Sequence, residues 1–172
     1  MNSETRRERI KVRLRHSREP VSASVLAGEL EVSRQVIVGD IALLRASGLN
    51  ILATPRGYLL PESVEGGIVR TIACKHGAQA TAEELYRITD NGGVVLDVIV
   101  EHPVYGQITA PLQIRSRYDA DQLVKSLARH KAQPLSLLTD GVHLHTICCK
   151  DEATFQRILQ ALRDGGLLFG VS

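Results

Sequence analysis

The chain contains no tryptophan, and aromatic residues make up only 3% of its 172 positions, too few for the stacking platforms that hold single-stranded nucleic acid. Its cysteines number three, Cys74, Cys148 and Cys149. An odd count builds no disulfide framework, and with an Arg-rich start in place of a secretory apolar stretch, a reducing, cytoplasmic setting is expected. Long hydrophobic runs are missing too. The run from Val94 to Val100 is broken by Asp97 and falls far short of the ~18 apolar residues that cross a bilayer, so no membrane association is expected. With 44% hydrophobic and 23% charged residues, the composition is that of a globular protein, against disorder or a collagen-like repeat.

The net charge of +2 conceals an uneven distribution. Residues 1–61 hold ten Lys and Arg against six Asp and Glu, and the remainder holds eleven against thirteen. The basic surplus of the N-terminal third favours duplex phosphate as a partner. Pro61-Glu-Ser-Val-Glu-Gly-Gly67 joins a helix breaker, charges and paired glycines between two well-patterned regions, as a connection between domains does. The expected division is therefore 1–61, a linker over 62–67, and 68–172.

In the first region, residues 5–16 fit a strand or a helix, and good helix formers favour the helix. After Pro20, Ser22 can cap a helix with Val25, Leu26 and Leu30 on one face, and Val21 can staple to Leu26. A tight turn follows. Ser33 caps a second helix with Val36, Ile37, Ile41 and Leu44 inward and Gly48 as its stop. Two capped helices joined this closely form a helix-turn-helix, whose second helix enters the major groove. Asn50 to Leu60 reads as a hairpin around Thr54-Pro55-Arg56-Gly57, a wing with a cation at its tip. Arg34 and Gln35 then face base edges or phosphates, and Arg45 and Arg56 face backbone phosphates. Gly39 is out of place in mid-helix, where it costs about 1 kcal/mol relative to Ala, though it permits close backbone approach.

From Ile68 the pattern runs strand (68–75), helix (80–89), strand (93–101), strand (104–114), helix (119–131), strand (142–149), helix (151–163). The β-α-β-β-α-β order with one added helix matches the ferredoxin-like arrangement, in which the first and fourth strands pair antiparallel. The fold class is thus α+β. His76 follows the first strand, and His143 and His145 begin the fourth, two apart and so on one sheet face. Three imidazoles at one sheet end suit a divalent transition metal such as zinc, nickel, copper or iron, and Glu83 or Glu84 can add an oxygen ligand. Cys148 and Cys149 point to opposite faces, which favours core thiols over ligands.

Three separated stretches carry a resemblance over nearly the whole chain: Val32 to Val38 with Asp40 to Arg45, Val98 to Gly106 (Val-Ile-Val-Glu-His-Pro-Val-Tyr-Gly), and Gly141 to Thr146 (Gly-Val-His-Leu-His-Thr). The sequence resembles the niacin-responsive transcriptional repressors of bacteria, a winged helix followed by a three-histidine, or 3H, domain. The resemblance implies a dimeric repressor of NAD-synthesis or niacin-salvage genes, with nicotinic acid as co-repressor and no enzymatic activity. It also implies metal ligands at His76, Glu84, His143 and His145, for nickel, zinc or iron. An effector that fills a metal coordination position leaves its second polar group for His102, Tyr105 or Arg115. Two other readings are a metal-dependent hydrolase, with Glu83 or Glu84 activating water, and a DNA-binding protein whose C-terminal domain only dimerises.

Overall fold

Ile10 and Leu14 are buried while Val12 between them is 46% exposed, the four-residue spacing of a helix and not the alternation of a strand. The N-terminal segment accordingly forms α1 (Ser3–Arg15). The computed structural model describes residues 1–61 and 66–170. The chain divides into two compact units, Met1–Ser63 and Val64–Ser172; of the expected linker, 62–65 lie outside the described residues.

In the first unit, Ser22 caps α2 (Ala23–Leu30) by accepting from the Val25 amide at 3.1 Å. Ser33 caps α3 (Arg34–Ala46) through the Val36 amide at 3.3 Å. Glu31, in the left-handed conformation, makes the turn between them. Leu26, Leu30, Ile37, Ile41 and Leu44 meet Ile10 and Leu14 in one core. Two expected core residues face outward, Val25 at 46% and Val36 at 37% exposure. Each precedes a buried residue, and one helical step turns a side chain by about 100°. In their place Asp40 is buried, held by Arg6 at 2.5 Å. The wing is the antiparallel pair β1 (Leu52–Thr54) and β2 (Gly57–Leu59). Val21 adds a third rung through two backbone bonds to Tyr58.

The second unit contains β3 (Ile68–Lys75), α4 (Thr81–Thr89), β4 (Val94–His102), β5 (Gly106–Ile114), α5 (Arg117–Arg129), β6 (Val142–Cys149) and α6 (Glu152–Asp164). The α+β class, the element order and the antiparallel pairing of first and fourth strands stand as expected. The ferredoxin-like strand order does not: the sheet runs β3-β6-β4-β5, every neighbouring pair antiparallel. A ferredoxin-like sheet keeps its first strand inside, between the third and the fourth. Here the fourth strand takes an inner place, as its three consecutive buried residues, Ile147 to Cys149, show. β3 exposes Val69, Arg70 and Thr71 and lies at the rim. The helices pack side by side, α4 between α5 and α6, over a core including Ile72, Leu85, Ile88, Val95, Ile147, Ile158 and Leu162. The segment after α6 lines the free edge of β3, where Leu167 accepts from the Lys75 amide and the Phe169 amide donates to Ala73.

Candidate metal centre and nucleic-acid interface

The register of β3 and β6 sets His143 opposite Cys74, and Val142 opposite Lys75, one residue before His76. Residues paired across a sheet share a face, and so do residues two apart. Cys74, His143 and His145 therefore point together toward the helix layer. From that layer α4 presents Glu84, buried beside Leu85 and Ile88, while Glu83, one step round, is exposed and pairs with Arg87 at 2.9 Å.

Three imidazoles converge on the Glu84 carboxylate. His143 Nε2 lies 3.0 Å and His145 Nε2 2.9 Å from its oxygens, and His76 Nε2 is in contact with Oε2. The His143 ring sits between the other two, edge-on at 4.9 Å from each centroid. Each opposite ring nitrogen meets a main-chain carbonyl: His76 Nδ1 to Gly77 and His143 Nδ1 to Gly141, both 2.8 Å, and His145 Nδ1 to Asp97 at 2.7 Å. A carbonyl only accepts, so each Nδ1 carries a proton; each Nε2 faces the Glu84 carboxylate, and on losing its proton to an incoming cation it would turn a lone pair inward. Three such lone pairs and one carboxylate form the donor set of a divalent transition cation, its imidazoles oriented by outer-shell bonds. Burial raises the carboxyl pKa of Glu84, but the imidazoles outweigh it and hold the group well below the usual range. Burial likewise lowers His145 and His76, and Glu84 more than reverses this, so both end above the ordinary histidine value.

Cys74 was not singled out by the sequence. Its thiol, fully buried, lies within 4.8 Å of ligand atoms of Glu84 and His143. Burial and Glu84 together push its pKa up, which favours the neutral thiol. The available signal was its place near the end of β3, two residues before His76. Cys148 and Cys149 lie at the opposite end of β6, paired with Val69 and Ile68.

The expected effector residues separate. Ile99 lies opposite Leu144 in an antiparallel pair, so His102, three residues on, lies toward the sheet end where β6 begins. Val98 packs on the helix-side core, and period two sets His102 on that face. His102 Nδ1 accepts from the Val104 and Tyr105 amides at 3.1 and 3.2 Å, and its ring lies 5.1 Å from that of Tyr105. Arg115 follows Ile114, at the far end of the same hairpin, on the order of 25 Å away at the rise of a strand.

In the first unit Arg34 and Gln35 are exposed at the start of α3. The other two expected DNA contacts have structural partners. Arg45 donates its Nε to the Ile51 carbonyl at 2.8 Å and lies 6.0 Å over the Tyr58 ring, and Arg56 pairs with Glu19.

A helix-turn-helix with a wing, joined to a second unit that clusters three histidines, is the architecture of a DNA-binding regulator. Comparison with known proteins agrees: residues 6–59 match an HTH domain family and residues 69–171 the 3H domain family. Over 166 residues the chain is 49% identical to "Probable transcription repressor NiaR" of Thermotoga maritima, covering 95% of this chain and 94% of that protein. It is 42% identical to "Transcription repressor NadR" of Bacillus subtilis, covering 95% and 92%. The chain belongs to this family of 3H-domain transcription repressors and is a regulator rather than an enzyme. Among the described residues no helix is long and apolar enough to cross a membrane.

Proposed function

We propose that the protein is a cytoplasmic, homodimeric repressor of NAD-synthesis or niacin-salvage genes whose affinity for operator DNA is raised by nicotinic acid. The observation that carries this reading is the convergence of three imidazole Nε2 atoms on Glu84, with every Nδ1 committed to a carbonyl. His76, Glu84, His143 and His145 hold a divalent transition metal, nickel, zinc or iron. When bound, the ion supplies a Lewis-acidic position for a pyridine nitrogen or a carboxylate. His102 and Tyr105, at the same end of the sheet, meet the ligand's second polar group. Arg115 lies at the other end of the β4–β5 hairpin from these two.

An effector shifts DNA affinity only by binding the DNA-competent state more tightly. In the first unit, Arg34 and Gln35 contact base edges. Arg45 keeps the base of the wing in place, and Arg56 reaches phosphate on leaving Glu19.

A mobility-shift titration on DNA upstream of niacin and NAD genes tests the whole reading, with nicotinic acid and nicotinamide added separately to metal-loaded and chelator-treated protein. Nicotinic acid is expected to tighten binding by about tenfold or more, a coupling of roughly 1.4 kcal/mol, and only with metal present. Occupancy unchanged by either compound overturns the sensor. Undiminished nicotinate affinity in calorimetry after metal removal overturns direct ligation.

A further inference from the structure

We propose that Asp97 is the positioning residue of the metal centre: a bulge in β4 turns its carbonyl onto His145 and so fixes the direction of His145 Nε2. The inference rests on reading the histidine and Glu84 cluster as a metal site. Val95 lies opposite Ile147 and Ile99 opposite Leu144, so three residues of β4 face two of β6, one more than a regular ladder holds. Asp97 lies in the surplus. Its carbonyl accepts from His145 Nδ1 at 2.7 Å, and its Oδ1 accepts from the Thr146 amide at 2.9 Å.

The two bonds form an exchange. A main-chain carbonyl in a regular strand serves a neighbouring amide, and a buried amide deprived of its acceptor costs free energy. Here the carbonyl serves an imidazole, and the carboxylate supplies the acceptor for the adjacent amide of β6. One residue thereby fixes the tautomer and tilt of the His145 ring and pins the backbone next to it. Gly77 and Gly141 orient His76 and His143 through carbonyls alone. At His145 the residue that supplies the carbonyl also secures the neighbouring strand with its side chain, which explains a carboxylate within the otherwise apolar run from Val94 to Val100. An amide oxygen can take the same role, so the device needs an acceptor of this length and not a charge.

Co(II) serves as the probe, with affinity measured on the full chain against a competing chelator and the visible spectrum recorded. Asp97→Ala is expected to weaken Co(II) by 10- to 100-fold, the usual effect of losing an outer-shell partner, and to change the absorption of the bound ion. Asp97→Asn is expected to keep wild-type affinity to within about threefold, since it preserves the acceptor. Wild-type affinity and spectrum in Asp97→Ala overturn the role of Asp97 while leaving the centre in place, and a loss in Asp97→Asn as large as that in Asp97→Ala overturns the exchange of acceptors. Should Asp97→Ala fail to fold, nitrogen NMR of the wild-type Zn(II) form decides, because His145 must carry its proton on Nδ1. A proton on Nε2 overturns the inference. A wild-type chain that takes up neither ion overturns the metal centre itself, and this inference with it.

Discussion

Glu84 and Glu83 are neighbours of the same chemical type with different fates, one sunk among three imidazoles and the other paired with Arg87 in solvent. A helical step of about 100° decides between them. Removal of any one imidazole leaves the donor set short: His143→Ala is expected to reduce metal content from about one ion per chain to near zero while leaving basal duplex binding intact, as elemental analysis and a mobility shift without effector will show. The histidines of this site were legible because a two-residue spacing on a strand fixes a common face. Which glutamate joined them was not legible from the residues themselves, where both stood as ligands. Nor were the carbonyls of Gly77, Gly141 and Asp97, since a main-chain acceptor has no sequence signature. Arg45 and Arg56 show the same limit, as their partners Ile51 and Glu19 emerge only from the packing of the wing.

At the scale of elements, caps and apolar spacing placed most helices to within about two residues, and the strands Ile68–Lys75 and Val142–Cys149 fell where expected. Their order in the sheet did not follow, because a βαββαβ sequence leaves open which strand occupies the interior. Two glycines of the DNA-binding unit, Gly39 and Gly57, lead to opposite expectations. A Cβ at Gly39 meets nothing within 4 Å, so Gly39→Ala should stabilise the unit by about 1 kcal/mol through helix propensity. Gly57 has φ of +139° and a Cβ there overlaps the Val21 backbone, so Gly57→Ala should destabilise it, by about 2 kcal/mol or more. Urea unfolding of the two variants reads both signs, and a loss of DNA affinity in the stabilised Gly39→Ala would show that the open place on α3 serves the groove.

At the scale of the molecule, the two units carry opposite charge balance, and the basic one alone offers few unengaged cations. Arg6 is tied to Asp40, Arg13 to Glu29 and Arg56 to Glu19, so a single reading head grips phosphate weakly. The homodimer proposed above would remedy this, with half-sites about 34 Å apart or a multiple of it. Inserting about five base pairs between the half-sites of a selected operator should abolish tight binding, and inserting about ten should restore much of it; footprinting across the series checks both. The segment Leu167 to Phe169 has a practical bearing on such work. It stitches the rim of β3 through Lys75 and Ala73, adjoining His76, and a naked rim of that kind recruits strands from other molecules. A chain trimmed at Gly166 is therefore expected to clump and to lose the proposed response to nicotinic acid together, and purification handles belong at the amino end.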